Sequence, residues 1–197
     1  MLRTRLITLA LCIVPLVAVA ALLAAGDEVS AEVEAVAKTV GSYKNNLAKE
    51  KKTVTYHDIE YTIYPLRRGR RELGAAVITV ASGYEGPIRT VVAFNTKGEV
   101  CGYRVLLQTE TPRWGDVVPD WFQKNGQGNI IGKNLSEGDL KVRQDNGTID
   151  GITRSTITSR AFLHSVNNAY KVYKGQEPEI QPANPPRHGH GGGPRRF

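Results

Sequence analysis

The sequence predicts a mixed α+β domain preceded by a single N-terminal transmembrane helix. Residues 6–25 form an uncharged, mostly apolar run. Within residues 59–107, apolar residues alternate with polar ones or form short β-branched runs, and both patterns are typical of strands. Residues 156–173 instead place apolar side chains at helical spacing. The apolar run predicts a membrane anchor, and the strand and helix patterns together predict the α+β domain.

The apolar run has the length of a membrane span. Its 20 residues would rise about 30 Å as a helix, which matches the hydrocarbon core of a bilayer. Arg3 and Arg5 precede the run and acidic residues follow it, so the N-terminus is expected in the cytoplasm and the domain outside it. A cleaved signal peptide is the alternative, because Ala18-Val19-Ala20 fits a small-residue cleavage site.

The chain divides into three expected regions. The cytoplasmic N-terminus and anchor occupy 1–26, the domain occupies 27–174, and a flexible tail rich in Pro, Gly and His occupies 175–197. The composition of the tail is unsuited to a packed core. Its two histidines fall short of a metal site, and no metal is expected.

The domain should begin with a helix and continue as a sheet. Residues 27–50 are interpreted as an amphipathic helix, with Gly41 as a candidate interruption. Strands are expected around 59–63, 75–81, 88–94 and 100–107. Residues 108–128 should form a long loop with a short helix near Trp121 and Phe122.

Charge and cysteine content exclude several classes. The formal net charge is +7, and five arginines in the two terminal segments account for most of it: Arg3, Arg5, Arg187, Arg195 and Arg196. The domain is therefore nearly balanced, and nucleic acid is not an expected partner. The run Arg67-Arg68-Gly69-Arg70-Arg71 is interpreted as a turn between strands. Two cysteines exclude a disulfide-dense scaffold.

A hydroxyl-rich segment joins a strand-like stretch to the last helix. It reads Asp150-Gly151-Ile152-Thr153-Arg154-Ser155-Thr156-Ile157-Thr158-Ser159-Arg160. Helix N-termini present unpaired N–H groups and a positive dipole end, which suits a phosphate. Arg154 and Arg160 add positive charge nearby. Simple N-capping is the alternative interpretation, since Ser and Thr are common there for that reason alone.

This segment resembles the flavinylation motif of FMN-binding domains, Asp-x-x-Ser/Thr-Gly-Ala-Thr followed by x-Thr/Ser-Ser. Such domains occur in the G subunit of the Rnf electron-transport complex and in the C subunit of the sodium-pumping NADH:quinone reductase. The resemblance places the covalent phosphoester to FMN on Thr156. It places around the phosphate the neighbours Thr153, Arg154, Ser155, Ile157, Thr158 and Ser159.

Two positions of the motif depart from the family pattern. Arg154 stands where Gly is usual, and Ser155 stands where Ala is usual. The usual Gly would serve an unusual backbone angle or a close approach by the flavin-transferring enzyme. An alternative role for Arg154 is that of a charged donor to the phosphate.

Two further segments carry the resemblance. Gly83-Tyr84-Glu85-Gly86-Pro87-Ile88 is similar to the family's Gly-Tyr-x-Gly-x-Ile, with Tyr84 interpreted as a packing residue. The segment 110–116 resembles the family's Glu-Thr-Pro-Gly-Leu-Gly loop, which borders the flavin. Glu110, Thr111 and Trp114 are thus further candidate cofactor contacts, although Arg113 and Trp114 replace the family's Gly and Leu.

The resemblance implies an electron-relay subunit of a membrane-bound, ion-translocating ferredoxin:NAD oxidoreductase. The subunit would carry covalent FMN, would have no catalytic residue of its own and would not act alone. Its partners would be the other membrane subunits, a flavin transferase and the lipid bilayer. It would lie in a bacterial inner membrane with its domain on the outer side. The alternatives are a non-flavinylated assembly module of the same fold and a stand-alone exported flavoprotein reductase.

Overall fold

The structure is a computed structural model that describes residues 29–182. The predicted anchor over 6–25 and the tail beyond residue 182 lie outside the described residues. Within 29–182, no helix has the length and apolar character needed to cross a bilayer.

In the described part of the chain, five strands form one antiparallel sheet whose spatial order follows the sequence. The strands are β1 (Lys52–Tyr56), β2 (Ile59–Arg68), β3 (Arg71–Ser82), β4 (Pro87–Asn95) and β5 (Val100–Leu107). Each strand pairs with its neighbour in the chain through a short connection. At the connection between β4 and β5, Gly98 adopts φ +94°, a backbone angle that favours glycine.

Four α-helices are described around the sheet: α1 (Ala31–Lys38), α2 (Leu47–Glu50), α3 (Val118–Trp121) and α4 (Thr156–Tyr173). Short 3-10 turns cover Gly115–Val117 and Arg143–Asp145. The helix expected over 27–50 is therefore two helices. Gly41 lies between them with φ +146°, which is incompatible with a continuous helix.

The two faces of the sheet have separate cores because successive strand residues point to opposite sides. On one face, α1 buries Val33 and Val36 against Val91 of β4. On the other face, α4 buries Phe162, whose ring stacks on Phe122 with centroids 4.7 Å apart. Burial of a side chain of this kind contributes about 1.5–3 kcal/mol, so both helical layers are well anchored.

Three sequence predictions need correction or refinement. Strand β1 was not predicted, because its Lys- and Thr-rich sequence lies at the sheet edge with little burial. The strand-like stretch before α4 is irregular and makes only an isolated bridge, between Val142 and Ile149, within the described residues. The described part of the expected tail, 175–182, is held against the domain: the Asn168 side chain exchanges two hydrogen bonds with the Glu179 backbone, at 2.8 and 2.9 Å.

Candidate functional site

Three segments meet at one end of the sheet and enclose a cavity of about 540 Å³. They are the turn 83–86 between β3 and β4, the loop 108–117 after β5, and the start of α4. The cavity is lined by Tyr84, Glu85, Glu110, Thr111, Trp114, Gly115, Arg154, Ser155, Thr156, Ile157 and Thr158. The segments that the resemblance singled out, far apart in sequence, are therefore brought together.

Glu110 joins the three segments through its carboxylate. One oxygen accepts from the Thr158 hydroxyl of α4 at 2.5 Å. The other accepts from the backbone N–H groups of Glu85 at 3.1 Å and Gly86 at 3.5 Å. Only 5% of Glu110 is exposed, so these internal donors replace water around the carboxylate.

Two glycines make room for this carboxylate. A Cβ atom on Gly83 would lie 2.2 Å from Oε1 of Glu110, and one on Gly115 would lie 2.7 Å from Oε2. A larger residue at either position would displace Glu110, and at position 83 its Cβ would also lie 2.8 Å from the backbone oxygen of Gly86. Close packing against Glu110 thus explains why glycine is needed at positions 83 and 115 of this chain.

The hydroxyl groups around the start of α4 fall into two classes. Thr158 donates to Glu110, while Ser159 Oγ donates to the Ser155 carbonyl at 3.0 Å and accepts from the Ile152 N–H at 2.8 Å. Both are buried and serve the local fold. Thr156 is half-buried in the cavity lining, and among the described contacts no hydrogen bond engages its hydroxyl.

Two predicted cofactor contacts lie outside the cavity. Thr153 is exposed in the turn before α4 and does not line it. Ser159 is fully buried behind it. Arg160, which was expected to add positive charge to the site, instead forms two hydrogen bonds with Asp145, at 2.7 and 2.6 Å. That pairing lowers the pKa of Asp145 and raises the pKa of Arg160.

Arg154 and Arg113 each occupy a position where the family patterns have glycine. Both have left-handed backbone angles, with φ of +64° and +67°. The geometry explains why glycine suits these positions, because an L-residue there costs about 1–2 kcal/mol. An unusual backbone angle, one of the two reasons considered for the motif's glycine, is therefore observed at Arg154.

Arg154 reaches across the mouth of the cavity to the loop opposite. Its guanidinium carbon lies 5.7 Å from the centroid of the Trp114 ring, within the range of a cation–π contact. Trp114 is 46% exposed, so the indole is not a core residue. Two of the side chains that depart from the family patterns are thus in contact with each other.

Sequence reasoning missed part of the cavity lining. Tyr84 was interpreted as a packing residue, but it is 38% exposed and lines the cavity. Glu85 and Gly115 were not singled out, although both lie within segments that carried the resemblance. The nearness of the turn 83–86 to α4 depends on sheet order, which local patterns do not encode.

Comparison with known proteins gives the family. Residues 83–171 match the model of the FMN-binding domain family. The chain is 30% identical over 151 residues to the G subunit of the ion-translocating oxidoreductase complex of Yersinia pestis, and the match covers 71% of this chain and 70% of that protein.

The chain belongs to the family of G subunits of ion-translocating oxidoreductase complexes.

Other members of this G-subunit family are matched over shorter stretches. The proteins of that name from Shewanella baltica and Vibrio vulnificus are 39% and 35% identical over 101 and 131 residues. The matches cover 50% and 61% of this chain and 47% and 60% of those proteins, so the chain spans about half the length of these curated relatives. A solved structure, that of the C subunit of the Na(+)-translocating NADH-quinone reductase from Parabacteroides distasonis, matches with a TM-score of 0.45 and 19% identity, covering 58% of this chain and 62% of that one.

Proposed function

We propose that this chain is an electron-relay subunit of an Rnf-type membrane complex and carries FMN through a phosphoester on Thr156. The observation that carries the proposal is the state of the Thr156 hydroxyl. It lines the cavity at the first residue of α4 and is the one cavity-lining threonine of that helix whose hydroxyl is not already committed to a neighbour in the described structure.

The choice of acceptor follows from the accessibility of the hydroxyl groups. Thr158 is 1% exposed and Ser159 is 0% exposed, and both hydroxyls are engaged in hydrogen bonds. Ser155 lines the cavity but is 9% exposed and belongs to the buried polar residues. A transferase needs a hydroxyl that it can reach, and Thr156 combines access with a place inside the cavity.

The environment of Thr156 suits a phosphate. An 18-residue helix begins at this residue, and its first turn offers unpaired N–H groups and the positive end of the helix dipole. The Ser155 side chain makes no capping bond to that turn, so these N–H groups are not satisfied by the N-cap residue. Arg154 supplies a positive charge at the cavity mouth.

The rest of the cavity suits a flat aromatic ring. A volume of about 540 Å³ is within the usual range of cofactor sites. Trp114 and Tyr84 are exposed aromatic side chains on two different lining segments, and aromatic faces bind flat conjugated rings well. Bound FMN would supply the one- and two-electron chemistry. The protein's residues would orient the ring, hold the phosphate and keep the redox group attached to the domain.

The partners and location are part of the same proposal. The family name implies other subunits of a membrane complex, and attachment of FMN requires a flavin transferase. The apolar run 6–25 would place the chain in the bacterial inner membrane as a single-pass protein, with a cytoplasmic N-terminus and the domain outside. Mild detergent solubilisation tests membership: co-migration with multi-span subunits is expected, whereas a lone monomer would favour a stand-alone flavoprotein reductase.

The test of covalent attachment is in-gel flavin fluorescence after denaturing electrophoresis. The full chain is co-expressed with a flavin transferase as wild type, Thr156→Ala and the matched control Thr153→Ala. We expect fluorescent bands for wild type and Thr153→Ala and a dark band for Thr156→Ala. A dark wild-type band would instead favour the non-flavinylated assembly module, and a fluorescent Thr156→Ala band would move the attachment to another residue.

A further inference from the structure

The two residues that depart from the family's glycine and leucine and meet across the cavity mouth are Arg154 and Trp114. They come from segments forty residues apart in sequence. Arg154 belongs to the turn that leads into α4, and Trp114 belongs to the loop after β5. The contact between these two substituted residues suggests that they act together at the cavity.

The backbone at Arg154 is held in unusual geometry. Arg154 has φ +64°, in the left-handed region that favours glycine. Non-glycine residues are kept in the left-handed region when surrounding contacts determine them, and such residues cluster at ligand clamps. The left-handed angle of Arg154 accompanies the placement of its guanidinium over the indole.

We propose that Arg154 and Trp114 form a clasp across the mouth of the cavity, in which the guanidinium holds the indole over the isoalloxazine ring of FMN. This inference rests on the proposed function, because it assigns the clasp to the flavin held at Thr156. The positively charged guanidinium faces the indole ring, to which it is attracted, and Arg154 lines the cavity next to the start of α4, where the proposed phosphate would attract it as well.

The clasp makes a specific claim about coupling. Trp114 covers the ring, and Arg154 acts through Trp114 by fixing its position. Removal of Arg154 should therefore free the Trp114 indole from its position over the isoalloxazine ring. When Trp114 has already been replaced, removal of Arg154 should have no further effect on that ring. Such non-additivity is the signature of residues that work as one unit.

The measurement is the fluorescence lifetime of the flavin in the full-length, flavin-loaded chain, because an indole in contact with an isoalloxazine quenches its emission. The variants are Trp114→Leu, Arg154→Gly and the double variant, each of which restores the family's residue. We expect a several-fold longer mean lifetime in Trp114→Leu, most of that increase in Arg154→Gly, and no further increase in the double variant.

Arg113→Gly is the matched control. Arg113 has the same residue type and a similar left-handed angle, φ +67°, in the same loop as Trp114, but no described ring contact involves its guanidinium. Its replacement should leave the lifetime at the wild-type value. Circular dichroism of each variant checks that the fold is retained.

The unloaded chain gives a second readout. In the Thr156→Ala background, acrylamide quenching of Trp114 emission should rise when Arg154 is replaced by Gly, with the Trp114→Leu protein reporting the contribution of Trp121 alone. A wild-type lifetime in Arg154→Gly, additive effects in the double variant, or unchanged quenching in the unloaded chain would overturn the clasp. A wild-type chain without any flavin would overturn the proposed function itself, so the two failures are distinguishable.

Discussion

Glu110 shows how one side chain can hold a site together. Its two oxygens accept hydrogen bonds from α4 and from the turn 83–86, and Gly83 and Gly115 leave just enough room for them. Its role is therefore inside the protein, as the residue that fixes the cavity walls relative to each other. The sequence indicated Glu110 as a cofactor contact, but the direction of its carboxylate could not be predicted without the fold.

Replacement of Glu110 by Ala should destabilise the domain and distort the cavity. The change leaves the buried Thr158 hydroxyl and the Glu85 N–H without their acceptor, which costs about 2–3 kcal/mol in the free energy of unfolding. Glu60→Ala, on an exposed strand position, is the control and should lie within about 0.5 kcal/mol of wild type. Urea unfolding measures both, and equal stability of the two variants would contradict the internal role of Glu110.

At the residue scale, the sequence indicated several residues that line one cavity, but it did not indicate which of them pair with each other. The motif located Thr156, Glu110 and Trp114, all of which line the cavity. It could not separate the free hydroxyl of Thr156 from the engaged one of Thr158, because that difference arises from a contact between residues 48 positions apart. The meeting of Arg154 with Trp114 is non-local in the same way.

At the scale of elements, α4 connects the site to the segment 175–182. Its first turn lines the cavity, and its later turns hold residues 175–182 through Asn168 and Lys171. Burial lowers the pKa of His164, which lies on the same helix between these two regions, although nearby Glu179 and Asp139 oppose the shift. The neutral form of His164 is therefore the one that the folded protein favours.

The position of His164 predicts a loss of stability in mild acid. The unfolded chain takes up a proton near pH 6.5, whereas the folded chain does so only at lower pH, so the contribution is complete above pH 6.5 and is lost as pH falls below it. His164→Gln should flatten the fall in melting temperature between pH 7.5 and pH 5.5. Arg160→Gln, which breaks an exposed ion pair one turn away, should leave the slope of that fall in place. An unchanged slope in His164→Gln would contradict this assignment.

Element prediction succeeded where the pattern was long and uninterrupted. The boundaries of α4 and β5 agree with the predicted 156–173 and 100–107. The prediction missed β1 because an edge strand needs no apolar face. The predicted helix over 27–50 was too long because its valine pattern continues up to the break at Gly41. The first error reflects tertiary context that local periodicity does not contain, whereas the break behind the second error lies at Gly41, which the sequence indicated as a candidate interruption.

At the scale of the whole molecule, one sheet supports two cores. Ala75 and Val77 of β3 face α4, while Ala76 and Ile78 of the same strand face α1. Because the two layers share each strand backbone, neither core can open without disturbing the other.

A fragment of residues 29–182 should therefore unfold in a single transition. Far-ultraviolet circular dichroism reports the helices and sheet, and tryptophan emission reports Trp114 and Trp121 on the α4 side. We expect coincident urea midpoints from the two signals. A separate early transition in circular dichroism, with tryptophan emission unchanged, would mean that the α1 layer is an independent unit.

The sequential strand order also has a consequence for the time at which the cavity first exists. Hairpins between neighbouring strands close short loops and can form early. The contact between the start of α4, near residue 155, and the turn 83–86 instead joins segments that are far apart in sequence. All three walls are present together only when this last long-range contact is made. An enzyme that modified a threonine in this cavity would thus act on folded chains and not on partly folded ones. The attached group would mark the chains that have completed folding.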